Sequence, residues 1–474
     1  MTALAPVAAT ISGWGMAVGG EAQVLRPTSV AEVQAALALA RERRWRVALR
    51  GAGCSYGDAA CGTGKLVLEL SGLSRILEFD RDTGVICCEA GVTIAQVWRH
   101  VLPHGWWPPV VSGTMAPTLG GAAAMNIHGK NAFAVGTIGE HIAAVQVVLP
   151  SGEQRALTPD EPLFRAVIGG FGELAVIVGV TLRCKRVHSG LLEVSAVATD
   201  TLDAMIDLLL REQGSADYLV GWLDGFARGS ALGRGLVHIA RQLQPGEDVD
   251  AERTLQVAHQ ELPSRLFGVL PKSWMWRLMW PFSHNLGLRL VNWAKYLSAR
   301  LLEHGKRYRQ SHAAFHFLLD YVPNWKFVYR PGGLIQHQSF VPVGEARRVL
   351  RAIVELCHAR GLPPWLAVLK RHRPDPFLLT HGVDGFSLAL DFPVTARNRR
   401  ALWSLCHEIE QLVVDAGGRF YFAKDATLEP ATVRRMFPAD ALTTFARWRR
   451  ELDPEGLLAT DLYDRAVAPA LEAA

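Results

Sequence analysis

The 474-residue chain is 49% hydrophobic and 20% charged, a globular composition that excludes an intrinsically disordered chain and leaves room for two or three domains. Its 50 basic and 45 acidic side chains give a formal charge of +5, too small to imply nucleic-acid binding without a concentrated basic patch. The seven cysteines, at 54, 61, 87, 88, 184, 357 and 406, form no CxxC pair, so buried thiols in a reducing cytoplasm are expected rather than a disulfide framework or a zinc site. The opening MTALAPVAAT lacks the pattern of a secretory signal, and no run of eighteen uncharged apolar residues predicts a spanning helix.

In chain order, residues 23–26 read as a short strand. A helix opens after Ser29, a capping residue, with apolar side chains at 33, 36, 37 and 40 repeating at helical spacing. Residues 45–50 form a strand running into a glycine loop. Residues 65–70 and 84–89 alternate as strands, and 145–149 enters a hairpin turn at Ser151-Gly152. From about 191 the pattern changes to a strand–helix–strand meander, followed over 263–310 by a stretch dense in Trp, Arg and Lys. A strand over 333–342, a helix over 345–360, a strand over 386–392 and a helix over 398–416, stopped by Gly417-Gly418, precede short terminal helices.

The sharpest motif is Arg50-Gly-Ala-Gly-Cys-Ser-Tyr-Gly-Asp58. It is one residue too long for the G-x-G-x-x-G dinucleotide fingerprint and opens no long helix, which disfavours a nicotinamide-type Rossmann site. Consecutive backbone N–H groups can instead wrap a phosphate as a nest; taken alone, the loop is equally a plain strand connection. Two further passes change the balance: the run of small residues from Val111 to Asn131, and Ile168-Gly-Gly-Phe-Gly-Glu-Leu-Ala-Val-Ile-Val178. Three such passes in one α/β region imply an elongated, phosphate-bearing cofactor lying flush against main chain.

Over residues 11–185 the order of these segments resembles the FAD-binding domain of the vanillyl-alcohol oxidase/p-cresol methylhydroxylase (PCMH-type) flavoprotein superfamily. Ser55-Tyr-Gly-Asp58 and His128-Gly-Lys-Asn131 resemble one branch in particular, the decaprenylphosphoryl-β-D-ribose 2′-oxidases and their bacterial relatives. That likeness continues through Gln336-His-Gln338, FSLALDFP over 386–393 and Arg419-Phe-Tyr-Phe-Ala-Lys-Asp425. The resemblance implies an α+β, two-domain PCMH-type FAD-binding fold with an antiparallel-sheet substrate domain: a cofactor domain over 11–190, a substrate domain over 191–417, and a segment over 418–474 returning to the first.

It further implies that Arg50, Gly51, Ala52, Gly53, Cys54, Ser55, Tyr56, Gly57 and Asp58 hold the cofactor at its pyrophosphate. Gly113, Thr118, Leu119, Gly120 and Gly121, then Met125, Asn126, Ile127 and His128, would run along the flavin, with Ile177 at the adenine half and Tyr421 at the isoalloxazine edge. Lys424, Tyr56, His128 and Gln336 are the implied catalytic set, and Gln336, Gln338, Lys370 and Lys424 the substrate contacts. From sequence alone Lys424 is also a surface lysine beside Asp425, His128 a core histidine, and Asp391 either a pocket acid or a strand-end cap. The histidine that tethers flavin in many superfamily members is Cys54 here, so the expectation is non-covalent FAD, with a cysteinyl link the alternative. Where mycobacterial relatives carry a thiol in the 386–392 strand this chain has Ala389, and Glu173-Leu-Ala175 replaces a frequent glycine.

The implied reaction is oxidation of a secondary sugar hydroxyl, the 2-OH of a polyprenyl-phosphate-linked pentose. The protein would be the flavin half of a 2′-epimerase working with a separate NAD(P)H-dependent short-chain reductase. A soluble alditol or aldonolactone oxidase using oxygen, and a non-catalytic flavin-binding module, are the alternatives. His312 and His316 have the i, i+4 spacing of a metal pair but no adjacent Glu, and no metal is expected. The 265–309 stretch interleaves Trp274, Trp276, Trp280 and Trp293 with Lys272, Arg277, Arg289, Lys295 and Arg300. That pattern suits a lid that also touches lipid, on the inner face of the cell membrane, as well as a helical lid packed on the core.

Overall fold

The computed structural model describes residues 5–266 and 269–472, so 267 and 268 of the aromatic–basic stretch lie outside the described residues. Strands Val7–Ser12 and Gly19–Leu25 pair antiparallel, and Gly19–Leu25, Leu66–Glu69 and Val47–Arg50 continue the sheet in parallel. Helix Val30–Glu42 crosses between the second and third in sequence; the Ser29 hydroxyl accepts from the Glu32 N–H, and Val33, Ala36, Leu37 and Ala40 are its buried stripe. A second, all-antiparallel sheet takes the order Ile76–Phe79, Val85–Glu89, Val176–Arg183, Ile142–Val148, Gln154–Leu157, with Gly152 at φ +94° in its hairpin turn.

The remaining chain builds one eight-stranded antiparallel sheet in the order Arg307–Ser311, Leu191–Thr199, Gly235–Gln242, Tyr218–Leu223, Leu366–His372, Gly385–Pro393, Leu334–Pro342, Arg419–Phe420. Helices Leu202–Glu212, Ala346–Ala359 and Arg399–Asp415 pack on one face. Their buried apolar stripes meet Leu219, Leu369, Leu388 and Leu390 in a common core. Because side chains alternate along strands, the other face is free to carry different chemistry. Strands Val7–Ser12, Leu366–His372 and Arg307–Ser311 and helix Asn285–Ser298 were not legible as elements in the sequence, their patterns being short or mixed.

After the eight-stranded sheet the chain runs back to the first. Val47 donates to the Leu457 carbonyl and accepts from the Ala459 N–H, both at 2.7 Å. Arg465 joins Asp58 (2.7 and 2.9 Å) to Asp425 (2.6 Å). The C-terminal helices therefore clamp the glycine loop after strand Val47–Arg50 to the segment that carries Lys424.

Candidate active site

A cavity of about 440 Å³ runs between the glycine segments and the free face of the large sheet. The loop 50–58 is held on both sides by main chain: Trp14 N–H donates to Ser55 O (2.7 Å), Gly15 N–H to Tyr56 O (3.1 Å) and Tyr56 N–H to Ala423 O (2.8 Å). A Cβ on Gly51 would stand 2.3 Å from Thr118 Oγ1, the atom that caps helix Leu119–Ala124 by accepting from Gly121 N–H at 3.2 Å. A Cβ on Gly120 would meet the Ala90 methyl at 2.7 Å. The first two glycine segments are thus in contact through positions where no side chain fits.

On the sheet side, register decides what faces the cavity. Gln336 pairs with Asp391 and Gln338 with Ala389, Ala389 with Val368 and Ser387 with Lys370, Val368 with Trp222, and Val220 with His238. Alternation places this set on one face, and most of it lines the cavity.

At one end the Lys424 ammonium lies 3.5 Å from the centroid of the buried Tyr56 ring, a cation–π contact in a desolvated place. The Gln336 amide donates to Asp391 Oδ1, and Asp391 is fully buried. Burial pushes the Lys424 ammonium down to about 7, against the pull of the Asp391 carboxylate, and pushes Asp391 up to about 6. Burial also holds the Tyr56 hydroxyl well above the usual tyrosine range, and lowers Lys370 to about 8.

Beside this group the Gln338 amide donates to His128 Nε2 (3.1 Å) and to Ser387 Oγ (3.2 Å), and Ser387 Oγ meets His372 Nε2 at 2.8 Å. Burial, then Lys370 and the neighbouring imidazoles, depress His128 well below the usual histidine range. It is therefore a neutral ring, with Nε2 accepting and the proton on Nδ1, an atom without a partner in the protein. Among the described residues no Asp or Glu lines the cavity, while Arg50, Lys130, Lys295, Lys370 and Lys424 do. Small residues on one wall, main-chain polar groups and a cationic lining fit an elongated dianionic nucleotide such as FAD.

Of the residues expected from sequence, Arg50, Gly51, Ala52, Gly53, Cys54, Ser55, Tyr56, Gly113, Thr118, Gly120, Gly121, Met125, Ile127, His128, Ile177, Gln336, Gln338, Lys370, Tyr421 and Lys424 all line this cavity. Four do not. Gly57 abuts the main chain of Asp425, whose carbonyl a Cβ would strike at 1.5 Å. Asp58 is consumed by Arg465. Leu119 is fully buried in the core, because the helix turns it away from its glycines. Asn126, at φ +46°, spends its side-chain oxygen on the Gly139 N–H at 3.0 Å. These four support the cradle from behind rather than line it.

Arg50 lines the wall but ties the loop down, donating to Ser12 O and Ala60 O. Lys424 is not paired with Asp425, whose partner is Arg465. Glu173 is buried and accepts from Thr460 N–H and Oγ1 (2.9 and 2.8 Å), leaving Phe171, Gly172 and Ala175 to the cavity. His312 and His316 stack near-parallel at 5.9 Å and lie against Trp107. Sequence reasoning missed Lys130, Trp222, His238 and Lys295 in the wall. For Lys130 the signal was present, two residues beyond His128; the other three emerge only from strand pairing and the docking of helix Asn285–Ser298.

Residues 22–158 match the FAD binding domain family. Together, this match, the fold and the glycine-lined cavity define an FAD-dependent oxidoreductase of the PCMH type, with FAD as cofactor. The chain is 30% identical over 96% of its length to decaprenylphosphoryl-β-D-ribose oxidase of Mycolicibacterium smegmatis, covering 96% of that protein. It is 23% identical over 97% of its length to L-gulono-1,4-lactone dehydrogenase of Mycobacterium tuberculosis, covering 99% of it, and 29% identical over 34% of its length to L-gulonolactone oxidase of Bos taurus, covering 36% of it. The chain belongs to the decaprenylphosphoryl-β-D-ribose oxidase family of the vanillyl-alcohol oxidase/p-cresol methylhydroxylase superfamily. No helix among the described residues is long and apolar enough to cross a membrane.

Proposed function

We propose that this protein oxidises the 2-hydroxyl of a pentose carried on a polyprenyl phosphate. The observation that carries the reading is the Lys424–Tyr56–Gln336–Asp391 cluster at the end of a cavity whose lining, among the described residues, carries basic side chains and no Asp or Glu. Bound FAD supplies the hydride acceptor. Lys424, poised near neutral pH, takes the hydroxyl proton at Nζ, and the ammonium so formed balances negative charge developing beside it. Tyr56 and His128 are poorer bases: the phenol ionises too high, and the imidazole is held neutral with Nε2 already occupied. Gln336 and Gln338 orient the sugar hydroxyls, and Lys370 meets the phosphate.

The same reading divides the chain into a cofactor domain over 11–190, a substrate domain over 191–417 and a returning segment over 418–474. The 2-keto product then needs a separate NAD(P)H-dependent reductase to complete epimerisation, and residues 265–309 rest on the lipid surface. FAD is held without a covalent bond: burial pushes the Cys54 thiol up to about 11, so the nucleophilic thiolate is scarce.

The test is anaerobic bleaching of the flavin absorbance by polyprenylphosphoryl ribose. Bleaching by free ribose or xylitol alone would overturn the reading. Acid precipitation should leave the yellow colour in the supernatant. The full-length likeness to a lactone dehydrogenase favours a second reading, aldonolactone oxidation, for which gulonolactone and not the phosphorylated sugar would bleach the flavin.

A further inference from the structure

Helix Asn285–Ser298 has two unlike sides. Its inner side is docked: Leu288, Asn292 and Tyr296 are buried, Asn292 donates to Trp365 O (3.4 Å), and Trp365 Nε1 donates to the Asn285 side chain (3.0 Å). On its outer side Leu286, Leu290, Trp293 and Leu297, at i, i+4, i+7 and i+11, are 74, 55, 49 and 38% exposed. An apolar stripe at helical spacing that faces outward has no folding role and marks a surface that meets something apolar. The exposed Trp274, Leu278, Trp280 and Phe282 extend it. No Asp or Glu occurs between Glu261 and Glu303, while six Lys or Arg do.

Between this stripe and residues 224–234 lies a second cavity of about 530 Å³, separate from the catalytic one. Arg228, Arg234 and Arg289 line it together with Asp224. Arg234 neutralises the buried Asp224 through two hydrogen bonds of 3.0 and 2.8 Å and stacks on Tyr296. Arg228 and Arg289 have no carboxylate partner among the described residues. A pocket with two free guanidinium groups and a rim of Leu286, Leu290 and Trp293 matches a phosphate with acyl chains attached rather than a soluble phosphate.

We propose that this outer cavity is a binding site for the headgroup of an anionic phospholipid, which seats the 269–302 face on a membrane surface. The inference deepens the lipid-linked-substrate reading and rests on it for its purpose: the same helix contributes Lys295 to the catalytic cavity, so seating it on lipid places that cavity at the surface from which a polyprenyl chain would enter.

The test uses the FAD-loaded full chain in flotation with vesicles of phosphatidylcholine alone or mixed with phosphatidylglycerol, without sugar. The native protein is expected to float with the mixed vesicles and far less with the neutral ones. The R228E/R289E double variant should weaken anionic binding by at least about thirtyfold, about fivefold for each positive charge lost, with the reversed charges adding to the effect. The L286S/L290S variant should lose binding to both vesicle types. All four positions are exposed, and an unchanged flavin spectrum and thermal midpoint certify folding. Unaltered flotation of the arginine variant, or flotation with mixed vesicles abolished by an equal concentration of free glycerol phosphate, would overturn the proposal. So would a dimer in sedimentation that the leucine variant dissociates, since a second copy would then cover the stripe. Because no sugar is present, failure here leaves the oxidation reading intact, and a flavin that no phosphorylated sugar bleaches would fail that reading without touching the lipid site.

Discussion

Asparagine at 391 isolates the charge that governs Lys424. The Asp391 carboxylate, which accepts from Gln336, pulls the Lys424 ammonium upward while burial pushes it down to about 7. An opposite charge at contact range typically shifts a pKa by about 1–3 units; since Asp391 and Lys424 make no direct ion pair, the low end of that range is expected, about one unit, equivalent to about 1.4 kcal/mol. The sign follows from which form works. If neutral Lys424 accepts the proton, kcat/KM rises with pH through about 7 in the native enzyme. Asp391→Asn removes the stabilisation of the ammonium, so the lysine deprotonates at lower pH and the rising limb moves acidward by about one unit. The assay is the initial rate of anaerobic flavin reduction between pH 5 and 9, run beside Lys424→Met, which should abolish the limb and lower kcat by about 10²–10⁴-fold. A limb that stays in place in the asparagine variant, or survives in the methionine variant, would refute Lys424 as the proton acceptor.

Gly51→Ala should place a methyl against Thr118 Oγ1 and displace that helix cap. Overpacking of this kind costs about 1–3 kcal/mol, read as roughly tenfold or greater loss of FAD affinity by flavin fluorescence. Arg465→Ala leaves Asp58 and Asp425 buried without their shared cation. A loss of about 3 kcal/mol in denaturant unfolding is expected, and an unchanged midpoint would show that the clamp is dispensable. Glu410 is fully buried and accepts from Thr427 and Thr432 at 3.0 Å each; burial, then Asp425, push its carboxyl up to about 8. Since the folded state keeps this proton where the unfolded state has lost it, the group makes stability fall as pH rises from the ordinary carboxyl range to about 8. Glu410→Gln should flatten that slope, giving a higher Tm than native at pH 8 and little difference near pH 4.

The cofactor side of this protein was written locally. A strand running into Gly51–Gly57, the small residues from 111 to 131 and the glycines at 169–172 could be read in order, because a nucleotide cradle needs short stretches of bare main chain and each stretch is contiguous. The helices with strong 3.6-residue stripes and the hairpin at Ser151-Gly152 were legible for the same reason. What lines the wall was less so: Asp58 and Asn126 sit inside the right motifs, yet their side chains are spent on Arg465 and on Gly139, partners far away in sequence or set by a backbone turn.

The Lys424 end of the cavity had local motifs but no local signature of how they meet. Tyr56, Gln336, Asp391 and Lys424 come from four separate segments, and the family resemblance named three of them for this role without saying how they touch. Strand register set Gln336 opposite Asp391, and the clamp through Arg465 and the Tyr56–Ala423 hydrogen bond brought Lys424 onto Tyr56. Pairings across hundreds of residues depend on which strands meet and in what phase, a property of the whole packed chain, so composition and motif could specify the cradle while only the tertiary structure could place Lys424 against Tyr56 beside it.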